Sequence, residues 1–204
     1  MKHVFTSFIL SLTVVAFLPA SAFAHTVVPA ENNLLPALTS SAWTKIGAAS
    51  VAANGLTATI AETSTTTGSF YTDVSVKNTT KEYALLIAYT QAEDVRSGGD
   101  ITGLPYIYGY FLDANGKVIS YLQKTNMRHS STVDGAWDVS HGVFKIPSNA
   151  VTIRYFMKQA SKKGTTKDGR DAIFARPGVY LTEKATVAAS IIERYKSHLG
   201  NIWE

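Results

Sequence analysis

Trp137-Asp138-Val139-Ser140-His141-Gly142-Val143-Phe144-Lys145-Ile146-Pro147-Ser148-Asn149-Ala150-Val151-Thr152-Ile153-Arg154 is the stretch whose reading decides the fold. Trp137 opens a short strand that ends at Pro147, because proline brings no N–H to a sheet ladder. Ser148-Asn149 is turn chemistry. From Val151 onward apolar and polar residues alternate, the period-two pattern of a half-buried strand. Two strands across so short a connection read as a hairpin, and the chain around them as all-β.

The pattern continues in both directions. Downstream, the second strand runs to Gln159, a polar loop spans Ser161–Arg170, and a last strand covers Ala172–Leu181. Upstream, Lys124–Gly135 is a polar loop. Tyr106–Asp113 and Lys117–Gln123 form a hairpin across Asp113-Ala114-Asn115-Gly116. Arg96–Gly103 is a glycine-rich polar loop of the kind that carries binding groups on a rigid scaffold. Tyr83–Glu93 is apolar on both faces, which predicts a central strand. Phe70–Lys77 precedes it, closed by the turn Asn78-Thr79-Thr80-Lys81. Ala48–Ala52 and Leu56–Ala61 flank Asn54-Gly55, which predicts a type I′ hairpin. Strands spaced by about ten residues with Gly, Asn and Asp turns indicate a sandwich or barrel.

The period changes at the end of the chain. Ala188, Ile191, Ile192, Tyr195 and Leu199 recur at helical spacing, predicting an amphipathic α-helix from about Glu183, with Gly200 as its C′ residue. The helix either packs on the sandwich or docks to a partner or a membrane surface. Its polar face mixes Glu183, Lys184, Glu193, Arg194 and Lys196, a poor match to a lipid surface.

At the other end, residues 1–24 have the pattern of a signal peptide: Lys2 and His3, the apolar run Val4–Leu18, then Ala22-Phe23-Ala24 as a cleavage site. The run is shorter than the roughly 20 residues of a membrane span. The expectation is export to the periplasm or the extracellular space, with no membrane span after cleavage. The expected divisions are the signal peptide 1–24, a sandwich 25–182, and the helix and tail 183–204. Zero cysteines excludes disulfides and thiolate metal sites. Loss of Lys2 with the leader leaves 18 basic against 15 acidic residues. That balance is too even for a nucleic-acid partner, and Lys162-Lys163 with Lys167 read as a solvated loop.

In order, Asn33-Leu34-Leu35 leading to Trp43, Tyr83 after a turn Lys, Asp113 with Asn115-Gly116-Lys117, and Trp137 through Phe144, Ile146-Pro147, Ala150 and Ile153-Arg154 resemble the family 4/9 type of carbohydrate-binding module. The resemblance covers roughly Asn33 to Leu181. It implies a jelly-roll β-sandwich of the galactose-binding-like group, here with a C-terminal amphipathic α-helix. Members usually close with an acidic pair that helps hold a structural calcium. Here that stretch is Ala175-Arg176-Pro177-Gly178-Val179-Tyr180-Leu181, with Asp171 as the one nearby substitute, so no metal and no cofactor is expected.

Sugar binding needs aromatic faces for pyranose C–H surfaces and planar polar groups for hydroxyls. Tyr106, Tyr108 and Tyr110 alternate, so all three point to one face, either as a stacking platform or as a core stripe. Trp137 stands where the resemblance implies a structural role, and Trp43 is similarly ambiguous. Gln91 and Gln159 each precede an Ala that ends a strand and leads into a polar loop. If the two strands run the same way, Arg96, Asp100, Arg170 and Asp171 gather at that rim, a set suited to a polyhydroxylated or anionic ligand. The expected function is a non-catalytic glycan-binding module. The alternatives are a structural protein that docks a partner through the helix and, third, a jelly-roll polysaccharide lyase. No opposed carboxylate pair, Gly-x-Ser-x-Gly elbow or Walker loop is evident. His25, first after cleavage, is a copper chelator only with further imidazoles, and His129, His141 and His198 lie in unrelated contexts.

Overall fold

The computed structural model describes residues 32–61, 68–92, 104–133, 135–159 and 171–203. In chain order these form β1 (Thr44–Ile46), β2 (Ala49–Val51), β3 (Thr57–Ile60), β4 (Ser69–Ser75), β5 (Tyr83–Ala92), β6 (Pro105–Leu112), β7 (Val118–Leu122), β8 (Trp137–Lys145), β9 (Thr152–Gln159), β10 (Ala172–Thr182) and α1 (Ala185–Ser197). Two five-stranded antiparallel sheets result, ordered β1-β4-β9-β6-β7 and β2-β3-β10-β5-β8. The chain is a jelly-roll β-sandwich with one C-terminal helix. Among the described residues no helix is long and apolar enough to cross a membrane.

Alternation places the layers. In the first sheet Phe70 and Val74 of β4, Ile107 and Phe111 of β6, and Ile153, Tyr155 and Met157 of β9 face the second sheet and are buried. From the second sheet Ile60, Ala84, Leu86, Phe174 and Val179 meet them. Burying a side chain of this size is worth about 1.5–3 kcal/mol. The other face of β5 explains its two-sided apolar character. Leu85, Ile87 and Tyr89 pack beneath α1 with Val139, Ala175, Tyr180, Ala188, Ile192 and Tyr195. The helix thus forms a third layer over the second sheet. The outer face of the first sheet has no such cover among the described residues.

The stretch Trp137–Arg154 is not a hairpin. β8 pairs with β5, from Tyr83↔Lys145 to Gln91↔Trp137. β9 lies in the opposite sheet between β4 and β6. The connection is an arch: Ile146 donates its N–H to Glu82 at 2.8 Å, and Val151 donates to Leu112 at 2.9 Å. Each strand buries one face whichever sheet it joins, so local pattern does not choose the partner. The non-local ladder does.

Two local expectations are also corrected. A type I′ turn needs two left-handed residues, but at Asn54-Gly55 only Gly55 is left-handed, at φ 70°. Asn54 instead accepts the Leu56 N–H on its side-chain oxygen at 3.0 Å, while the Gly55 N–H reaches Ala52 at 2.8 Å. The helix begins at Ala185 rather than Glu183, and Gly200 is not its left-handed C′ residue. His198 caps it, and tight turns carry the chain on so that Ile202 is buried beneath the helix and Trp203 meets Trp137 edge-on at 5.7 Å.

Candidate functional site

The uncovered face of the first sheet is built from the residues that alternate with its core. On β6 these are Tyr106, Tyr108 and Tyr110, all half-buried on the outside, so the core-stripe reading of the three does not hold. On β4 they are Tyr71 and Asp73, and on β9 Arg154, Phe156 and Lys158. Strand register then aligns rows across the sheet. Tyr71, Phe156 and Tyr108 stand opposite one another, as do Asp73, Arg154, Tyr110 and Tyr121.

These rows form one connected aromatic surface. Phe156 is its centre: it stacks on Tyr108 at 4.4 Å with planes 14° apart, and meets Tyr71 at 5.2 Å and Tyr110 at 5.3 Å. Tyr110 meets Tyr121 at 5.2 Å, and Tyr106 continues the row from Tyr108 at 5.6 Å. Offset and edge-on pairs at such spacings are each worth about 0.5–1.5 kcal/mol beyond the area they bury. Those neighbours leave Phe156 only 9% exposed although it lies on the outer face. Gly109, between Tyr108 and Tyr110, lets the layers approach this closely. A Cβ there would sit 2.6 Å from the Arg154 carbonyl and 3.1 Å from Leu86.

Charge borders the rings. Arg154 grips Asp73 through Nε and a terminal nitrogen, both at 2.7 Å, and lies 5.1 Å over Tyr71. That hydrogen bonding raises the Arg154 pKa. Burial, then a hydrogen bond to Tyr110 and the nearby Tyr110 and Tyr106, pushes the Tyr108 hydroxyl well above its ordinary value. Tyr108 therefore acts as a neutral hydrogen-bonding ring, not as an acid. Across the five strands of this sheet the single carboxylate is Asp73, and Arg154 occupies it.

At the Tyr106 end the platform opens into a cleft of about 810 Å³, bounded by Tyr106, Tyr108, Gln123, Lys124, Arg128 and His129 among others. Arg128 lies 5.9 Å over the Tyr106 ring. His129 is buried; its Nδ1 meets the Thr90 hydroxyl at 3.2 Å, and that hydroxyl meets Ser140 at 3.0 Å. Burial lowers the His129 pKa, against the opposing pull of Asp138.

The remaining expected site residues divide. Gln91 and Gln159 do reach the same end of the sandwich. Gln159 pairs with Pro105, whose carbonyl accepts from His129, and Thr90 beside Gln91 meets the His129 ring. They do not form an open rim, however: the Gln91 amide donates to the Gly135 carbonyl, and Gln159 is buried. Asp171 precedes β10 next to that end. Arg96, Asp100 and Arg170, like the leader 1–24 and His25, lie outside the described residues. Trp43 is a core residue whose ring nitrogen donates to Pro36 and Ala37, and Trp137 sits on the helix side. Among the described residues no group of three or more His, Asp or Glu could hold a metal ion.

Tyr71, Tyr121, Phe156, Arg154, Lys158 and Arg128 were missed by sequence reasoning. Arg154, Phe156 and Lys158 alternate, so Phe156 stands on the polar face of its strand, a signal visible in the sequence.

No family model matches the sequence. No curated protein matches it either. Among solved structures the chain is similar to the enzymatically active domain of tailspike protein 4 of bacteriophage CBA120, at 12% identity and TM-score 0.49, over 73% of this chain but 21% of that one. It is similar to the CBM22-1 xylan-binding domain of Xyn10C from Paenibacillus barcinonensis, at 14% identity and TM-score 0.39, over 75% and 93% of the two chains. A CBM4 structure gives 12% identity and TM-score 0.42, over 69% and 86%. These likenesses do not single out the family 4/9 type, and the fold rests on the strand order instead.

Proposed function

We propose that this chain is an exported, non-catalytic glycan-binding module that holds its ligand on the outer face of β4, β9, β6 and β7. One observation carries the reading: six aromatic rings, Tyr71, Phe156, Tyr106, Tyr108, Tyr110 and Tyr121, form one connected, partly exposed surface in fixed register. Rings locked by packing lose little freedom on binding, so a flat sugar face can stack at low entropic cost. Tyrosine hydroxyls and the Arg154 edge supply hydrogen bonds at the rim. Such a patch on a single chain supports an interaction site there.

The rivals have less behind them. The helix spends Ala188, Ile192 and Tyr195 on the sandwich, which leaves little apolar face for a partner. A glycosidase needs two opposed carboxylates, and this sheet offers Asp73 alone. The test is affinity electrophoresis through gels holding neutral or acidic soluble polysaccharides. Retardation by a specific polymer, abolished by Tyr108→Ala with the fold intact by circular dichroism, supports the reading. Retardation by none, or retention that Tyr108→Ala leaves unchanged, sinks it.

A further inference from the structure

The cleft at the Tyr106 end differs in charge from the rest of the platform. Arg154 is neutralised by Asp73. The cleft wall, by contrast, carries Arg128 and Lys124 and no carboxylate, and Lys158 stands beside Tyr106 in the sheet register. Among the described residues none of these three cations has an ion pair. Two of them contact rings, Arg128 over Tyr106 and Lys124 over Phe144 at 5.2 Å. A guanidinium stacked on an aromatic face keeps its planar N–H edge available for a carboxylate or sulfate.

The segment that carries these groups is held in place. Tyr106 and Arg128 form a backbone bridge, and the His129 N–H donates to Pro105 at 2.9 Å. His129 also lines the cleft, and its Nε2 is the one buried side-chain polar atom without a hydrogen-bond partner among the described residues. Buried polar atoms in native proteins are normally paired, so His129 keeps one hydrogen-bonding position unspent next to the cleft. When Thr90 donates to Nδ1, Nε2 carries the hydrogen. The volume of about 810 Å³ lies within the roughly 300–1,000 Å³ of sites that take small ligand groups.

We propose that this cleft is the subsite for the acidic group of an anionic glycan, a uronate carboxylate or a sulfate, with Tyr106 alongside the sugar ring and Arg128 and Lys124 holding the charge. The inference rests on the glycan reading above and names its substrate class. Isothermal titration of the full chain with neutral glucan, polyuronate and sulfated dextran oligosaccharides tests it.

The acidic oligosaccharides should bind about tenfold tighter than the neutral one, the gain expected of one or two charge-assisted hydrogen bonds. The double variant Arg128→Gln with Lys124→Gln should remove that gain and leave neutral binding unchanged. The stronger of the two acidic ligands then identifies the group, carboxylate or sulfate. Equal binding of neutral and acidic oligosaccharides overturns the subsite while leaving the platform standing. Equal weakening by a control pair at the far end of the sheet, Lys77→Gln with Lys117→Gln, overturns it too, because the attraction is then diffuse. Binding of none of the three removes both readings.

Discussion

Replacing Phe156 by Ala separates a packed platform from a loose collection of exposed rings. Phe156 is 9% exposed and touches three rings, at 4.4, 5.2 and 5.3 Å. Burial of its side chain is worth about 1.5–3 kcal/mol. Each ring pair adds about 0.5–1.5 kcal/mol, although the three are not additive. A core Phe→Ala costs about 3–5 kcal/mol because a sealed cavity remains. Here the space opens to water and the tyrosines can lean into it, so the cavity penalty is largely absent. The expected loss is about 2–3 kcal/mol, a melting temperature lowered by roughly 5–10 °C for a domain of this size. Thermal and urea unfolding measure it, with Phe174→Ala as reference, since Phe174 is fully buried between the sheets. Glycan affinity should fall with it, because Tyr108 loses the ring that orients it. A loss below about 0.5 kcal/mol would refute the reasoning, as would a loss equal to that of Phe174→Ala. The first would mean that the rings do not hold one another, the second that Phe156 belongs to the interior.

Two further outcomes are expected. Burial lowers the His129 pKa below 6.5, and burial with Lys196 does the same for His141; the unfolded chain therefore protonates first, and stability is full above about pH 6.5 and falls as pH drops below it. Melting scans from about pH 7.5 to about pH 5 check this, and His129→Gln should reduce the dependence and leave the part due to His141. A flat wild-type profile contradicts it. Tyr195→Phe removes a hydroxyl that donates to the Arg176 carbonyl at 3.1 Å and meets the Tyr180 hydroxyl at 3.2 Å. The contact braces the bulge where Arg176 is left-handed at φ 44°. The expected cost is about 1–2 kcal/mol by chemical denaturation, and an unchanged midpoint would show that the bulge does not depend on it.

Alternation and turn chemistry, both short-range properties, are legible in the residues themselves. Tyr106, Tyr108 and Tyr110 must share a face because strand side chains alternate. The doubly apolar Tyr83–Glu93 must be covered on both sides, and β5 is, by the other sheet and by the helix. The strands, the helix and the all-β class follow from the same kind of argument. Which face of β6 points outward does not, because a row of tyrosines is as able to fill a core as Ile107 and Phe111 on the other face. The decision falls to the opposing sheet, where Leu86 fits against Gly109 and leaves the tyrosines outside. Nor does the sequence show that Phe156 completes their row. β6 and β9 are neighbours through a ladder that joins residues some fifty positions apart, Tyr108 to Phe156. The arch at Pro147 has the same origin, since the backbone groups that pair β8 with β5 and β9 with β4 and β6 are identical in every residue. Strand pairing is chosen by burial summed over the whole sandwich. A local stretch contributes to that sum without containing it, so the platform and its charged cleft exist only in the tertiary structure.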